Sequence, residues 1–162
     1  MNTGGNRFTM ADLRQALAAA GIGNPRTLLA SGNLVVEAPA DGAAIERVIE
    51  ERFGLRLAVM TRTSDEIVAV LTGSPFAKIA TDGAKHFAAF AAQTIDESSV
   101  AATLSGDWGE ERWAVRGREL YLWLPGGMGR SPLAAAMAKP PFGPTVTVRN
   151  LNTIEKLARM VE

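Results

Sequence analysis

The chain has 162 residues, 47% of them hydrophobic and 21% charged, with 17 basic groups balancing 17 acidic ones. That is the length of one domain or two small ones, with apolar material for a sizeable core. Zero net charge argues against bulk nucleic-acid binding and polybasic membrane binding, and the lack of cysteine with a single histidine, His86, excludes disulfides, thiol catalysis, Cys-based zinc sites and His-cluster metal chemistry.

Met1 to Asn6 is a glycine-rich lead-in without the apolar core of a signal peptide. No apolar stretch reaches the roughly 18 residues of a membrane span, so no membrane and a cytoplasmic location are the default expectations. Thr9-Met10-Ala11-Asp12 has the form of a capping box and opens a helix carrying Leu13, Ala16, Leu17 and Ala20, which Gly21 stops. Asn24-Pro25 turns the chain into Thr27–Val36, two apolar runs around Ser31-Gly32-Asn33. This stretch reads as a β-hairpin turning on Gly32 and Asn33, pairing Ser31 with Leu34, Ala30 with Val35 and Leu29 with Val36. Leu29, Leu34 and Val36 then share an apolar face that helices must cover.

After the EAPADG loop, Asp41 caps a helix with Ile45, Val48, Ile49 and Phe53 inward, ended by Gly54. Leu55, Leu57 and Val59 alternate as a strand would. Ser64 caps a short helix with Ile67, Val68 and Leu71 inward, terminated by Gly73 and Pro75. Residues 86–92 read as a buried strand, and Asp96 caps a helix carrying Val100 and Leu104. ERWAVRG and ELYLWLP form a hairpin near Gly117, and Ser131-Pro132 opens another helix. A strand over 145–148 follows, then a helix from about Thr153 with Asn152 and Glu155 as its cap pair. The expected fold is α+β, two ferredoxin-like (βαββαβ-type) units side by side, the first lacking its leading strand. Its bounds are 1–73 for the first unit, 74–85 for a linker and 86–162 for the second.

For chemistry, the loop Leu124 to Leu133 places three glycines ahead of a helix start. Backbone N–H groups bared by Gly126, Gly127 and Gly129, with Arg130 and Ser131, suit a phosphate, nucleotide or other small anion. The loop lacks the Gly-Lys-Ser/Thr ending of a P-loop and the dinucleotide spacing, and a plain connection capped by Ser131 is the competing account. Arg149 and Asn150, delivered by a strand to a helix start, are a second candidate, against a surface Arg149 and an ordinary cap at Asn152. Trp108, Trp113, Tyr121 and Trp123 suggest a stacking platform or an interface, with Arg116 and Arg118 beside them leaving room for weak nucleic-acid contact. His86 reads as an edge histidine. Asp65-Glu66, Asp96-Glu97 and Glu110-Glu111 sit where capping and solvation explain them, and no acid/base pair stands out. No catalytic residue, metal or cofactor is indicated.

The ordered set GGN, MADLRQAL, RTLLASGNLVV, RWAVRGRELYLWLP, GMGRSPL and VRNLNTIEKL resembles the bacterial domain-of-unknown-function family DUF1697 over nearly the whole chain. The resemblance implies a two-part α+β bacterial protein of no established activity. Against the family pattern, Leu28 and Ala30 replace a Tyr and a Gln before the Ser-Gly-Asn turn, and Pro132 replaces a Lys after the glycine loop. Relatives also begin with an apolar strand ahead of the Gly-Gly, so the chain is expected to start inside that strand, with Met1 an internal methionine. Two functional classes stay open: a small-ligand or anion-binding module at the glycine loop, or an interaction module, such as a homodimer over the hairpin faces, without small-molecule chemistry.

Overall fold

The structure, a computed structural model, describes residues 2–3, 6–37, 41–139, 142 and 145–161, with side chains described from Phe8 onward. It is a mixed α+β chain whose described strands are all paired antiparallel. It divides into two compact units, Met1–Thr61 and Arg62–Met160.

In the first unit, β1 (Asn2–Thr3) pairs with β2 (Asn6–Arg7); Met1, Gly4 and Gly5 of the expected lead-in lie outside the described residues. Helix α1 (Met10–Ala19) opens on the full Thr9–Asp12 capping box, and Gly21 takes the left-handed φ of +78° expected of a stop. β3 (Arg26–Leu28) and β4 (Asn33–Val35) form the hairpin in a different register from the expected one. Leu28 pairs with Asn33, Thr27 with Leu34 and Arg26 with Val35, around a four-residue loop, 29–32. The cause is Asn33, whose buried side-chain amide donates to Leu28 O and Ser31 Oγ, both at 2.9 Å. It closes the loop instead of turning it, and Leu29 is left in the loop rather than on an apolar face.

Helix α2 (Gly42–Phe53) runs from its Asp41 cap to Gly54 at φ +66°, although Ala38, Pro39 and Ala40 of the preceding loop lie outside the described residues. Ile45 and Ile49 pack with Phe8, Leu13 and Leu17, and Phe8 stacks on Phe53 at 4.2 Å. Leu55, Leu57 and Val59 lean on this core as their alternation foretells, but 55–60 forms no ladder among the described residues. Alternation fixes which side chains face inward; a strand also needs a neighbouring backbone, and here Val59 N–H goes to Glu46 Oε1 at 2.8 Å.

The second unit begins with α3 (Ser64–Thr72), capped one residue earlier than expected because Thr63 and Glu66 form a capping box. Its inward residue is Val70, while Val68 is exposed. Then come β5 (His86–Ala91), α4 (Glu97–Thr103), β6 (Arg112–Arg116), β7 (Glu119–Trp123), α5 (Pro132–Met137) and β8 (Val146–Asn150). The last helix, α6 (Leu151–Val161), starts two residues before the expected Thr153. Its cap is Asn150, whose Oδ1 accepts Thr153 N–H at 2.9 Å, not Asn152. The four strands form one sheet in the order β6-β7-β5-β8. Residues opposite one another across a ladder share a face. Phe87, Ala89, Leu120 and Leu122 therefore line one face, buried with Val100, Leu104, Leu133 and Met137 from the helices.

Candidate functional site

The other face of that sheet is unusually polar. The register places Arg112, Trp123 and His86 in one row, Ala114, Tyr121, Ala88 and Arg149 in the next, and Arg116, Glu119, Phe90 and Thr147 in the third. Contacts through Tyr121, Arg62 and the Ser74–His86 pair bring the segment 62–74 over it. Tyr121 donates its hydroxyl to Val70 O at 3.1 Å, and burial pushes its pKa up to about 12. Arg62, its side chain 3% exposed, lies 5.4 Å over the Phe90 ring. It ion-pairs Glu119 at 2.6 Å and donates to Ala91 O at 2.8 Å. Ser74 Oγ and His86 Nε2 share a hydrogen bond of 2.7 Å.

That bond corrects the view of His86 as an edge histidine. β5 is an interior strand, so its first residue is 2% exposed, and burial lowers the histidine pKa. A serine hydroxyl on a neutral imidazole has the spacing of a nucleophile and its base. Ser74, however, is itself buried and also accepts Phe76 N–H, and no carboxylate is hydrogen-bonded to the ring among the described residues. The pair pins the chain after α3 to the sheet.

The residues singled out for anion binding emerge at one end of the sheet. β7 and β8 both run antiparallel to β5, so Trp123 lies opposite His86 and Asn150 opposite Phe87. The loop 125–131 and the Arg149-Asn150 pair therefore leave the sheet on either side of the start of β5. Within the loop, Gly127 N–H bonds Leu124 O, Arg130 N–H bonds Gly127 O, and Ser131 N–H bonds Met128 O. Ser131, 5% exposed, caps α5 by accepting Ala134 N–H at 2.8 Å. The Leu133 N–H goes to a carboxylate oxygen of Glu111 at 3.1 Å. Gly126, Gly129 and Arg130 are exposed. Arg149 curls back onto Thr147 Oγ1 and Val148 O, with burial lowering its pKa, and Asn150 is the α6 cap.

Sequence reasoning passed over Arg62 and Ser74 and assigned Glu111 only to capping and solvation. Each acts on a partner far along the chain, 57, 22 and 12 residues away, where no local pattern announces it. The four aromatic rings do not form one platform. A strand alternates its side chains, which sends Trp113 to the core face and Tyr121 and Trp123 to the polar one. Trp108 packs on the core with its indole N–H on Leu104 O at 3.0 Å. Beside α3 a groove of about 210 Å³ is lined by Ala69, Gly73, Tyr121, Arg116, Arg118 and the carboxylates Glu66 and Glu119. Its Arg118 is ion-paired with Glu66. Among the described residues no acidic or histidine cluster is placed to hold a metal, and no helix is long and apolar enough to cross a membrane.

No curated protein matches the chain. The chain is similar in fold to the solved structure of the conserved bacterial protein SP0830 from Streptococcus pneumoniae. The TM-score is 0.78 at 22% identity, over 100% of this chain and 94% of that one. A family model described as a protein of unknown function matches residues 1–121, and by that match the chain belongs to the DUF1697 family.

Proposed function

We propose that the chain is a protein–protein interaction module working through the open edges of the sheet in its second unit. One observation carries the reading. The sheet ends in two five-residue strands, β6 and β8, each without an outer neighbour among the described residues. Such edges present backbone donors and acceptors to an incoming strand. The groups best suited to chemistry, Ser74, His86, Tyr121, Arg62 and Glu119, are meanwhile engaged in internal bonds. The strand order β8-β5-β7-β6 also supports the ferredoxin-like plan for this unit, with the first unit its reduced counterpart. A panel of strand-forming peptides, each paired with a copy N-methylated at alternate amides, tests the reading. Binding lost on N-methylation and mapped by amide exchange to β6 or β8 bears it out. No binding, or binding indifferent to N-methylation, overturns it.

A second reading is an anion-binding module at Gly126, Gly127, Gly129, Arg130 and Ser131, with Arg149 and Asn150. The convergence of the loop and the end of β8 favours it; the Glu111 carboxylate on Leu133 N–H weighs against it. On this reading phosphate or a nucleotide raises the melting temperature by mass action, and Arg130→Ala abolishes the shift while leaving the unliganded value nearly unchanged. A melting temperature that ignores these anions, or a shift the variant keeps, removes it.

A further inference from the structure

We infer that β6 is the docking edge for an acidic strand of another chain, an assignment that rests on the interaction reading above. The hairpin between β6 and β7 closes over Gly117 and Arg118, with Gly117 at φ +61° and Arg116 opposite Glu119. In a two-residue hairpin the closing pair exchanges both backbone bonds, and bonding then alternates along the ladder. Arg112, Ala114 and Arg116 thus bond inward to β7, while Trp113 and Val115 turn their N–H and C=O outward. Side chains alternate as well. Arg112, Ala114 and Arg116 stand on the polar face, and Trp113 and Val115 pack against the core.

Within β6 the charge has one sign. Arg112 and Arg116 are both exposed, and neither makes an ion pair among the described residues. Arg112 spends its hydrogen bonds on the neutral carbonyls of Gly109 and Glu111. Arg116 faces Glu119 across the ladder, but that carboxylate is held by Arg62 at 2.6 Å. A second copy is a poor occupant, because antiparallel pairing centred on Ala114 sets Arg112 against Arg116 at both ends. Like charges directly opposite one another destabilise a ladder. An acidic strand reverses that sign. Its pattern follows from the register: a carboxylate opposite Arg112 and another opposite Arg116, a small residue opposite Ala114, and β-branched residues extending the apolar face of Trp113 and Val115.

A fluorescent, end-blocked peptide carrying Glu-Val-Thr-Val-Glu, titrated into the full chain, tests this. Binding is expected to weaken with salt. It is expected to fall about tenfold when both glutamates become lysine, as two exposed ion pairs imply, and to disappear when the peptide amides facing β6 are N-methylated. The double variant Arg112→Glu/Arg116→Glu should prefer the lysine peptide, a gain that also reports a folded protein. No binding of the acidic peptide at millimolar concentration, or a preference the double variant fails to invert, overturns the assignment. Peptides that protect β8 instead overturn it too, and leave the interaction reading standing.

Discussion

Leu29 holds φ at +62° in the hairpin loop and leaves 53% of its surface exposed. For an L residue with a side chain this backbone region costs about 1–2 kcal/mol, and Asn tolerates it far better than Leu. With little packing to lose, Leu29→Asn should stabilise the fold by about 1 kcal/mol, read as a higher denaturant midpoint at unchanged m. A lower midpoint would mean that the leucine makes contacts worth more than its strain. His86 behaves oppositely, because its cost is electrostatic. Burial lowers its folded-state pKa below the ordinary value of about 6.5, so the unfolded chain binds the proton more readily. Its contribution is therefore fully present above about pH 6.5 and is lost as pH falls through the lower folded value. The melting temperature should drop between pH 7 and 5, ahead of the carboxylates. Asp96 is held at about 2 by the Ser99 and Ser98 hydroxyls, so it titrates far lower. His86→Gln should flatten the profile in that window; parallel profiles for the two proteins would show that His86 is not the titrating group.

At the scale of elements, several side chains tie α3 and its start to the sheet, and two of these ties, through Tyr121 and Arg62, can be tested. Val70 O belongs to the last turn of α3, where carbonyls lack helical partners, and the Tyr121 hydroxyl supplies one. Tyr121→Phe should cost about 1–2 kcal/mol and speed amide exchange in the last turn of α3 more than in β7. Arg62 binds the start of the same helix to Glu119 and the Ala91 carbonyl. Arg62→Met alone strands a largely buried carboxylate and should cost about 3–5 kcal/mol, while Arg62→Met/Glu119→Leu should recover much of it. Equal losses in single and double variants would show that the cost is packing rather than the uncompensated charge. These ties were hidden in the sequence for the same reason that its caps were plain. Thr9 with Asp12, Asp41, Asp96, Ser131 and Gly54 act within a turn of themselves, so residue order alone announces them. Asn33 deceived because Ser-Gly-Asn is a good turn tip, and nothing local says that its amide reaches back to Leu28. The glycine stretch does connect β7 to α5, with Met128–Arg130 in a 3-10 turn, but its donors are spent in ways the sequence does not show. Gly127, Arg130 and Ser131 N–H go to carbonyls of the loop, and Leu133 N–H to Glu111, which only the folded chain brings there.

On the scale of the whole molecule, the two units differ in how complete they are as folding bodies. Residues 62–160 hold a four-stranded sheet, a core of Leu120, Leu122, Leu124 and Leu133 buried to 0% exposure, and the Arg62 and Tyr121 ties. Three or more strands with a covered apolar face are what independent stability requires. Residues 1–61, in their described part, hold only two-stranded pairings and a core centred on Phe8, Leu13, Leu17, Ile45 and Ile49. An isolated two-stranded pairing is marginal in water, and domains of about 60 residues bury the smallest share of their surface. A fragment of residues 62–162 should therefore melt cooperatively and keep dispersed backbone amide signals. A fragment of residues 1–61 should show helical signal from α1 and α2 without a sharp transition. The cut must fall before Arg62, since starting after it would leave Glu119 buried without its cation. A fragment beginning at Thr63 should accordingly be less stable than one beginning at Arg62 by the few kcal/mol assigned to that ion pair. Equal melting of the two fragments would contradict that role for Arg62, and a 62–162 fragment without a cooperative transition would show that the sheet does not stand alone.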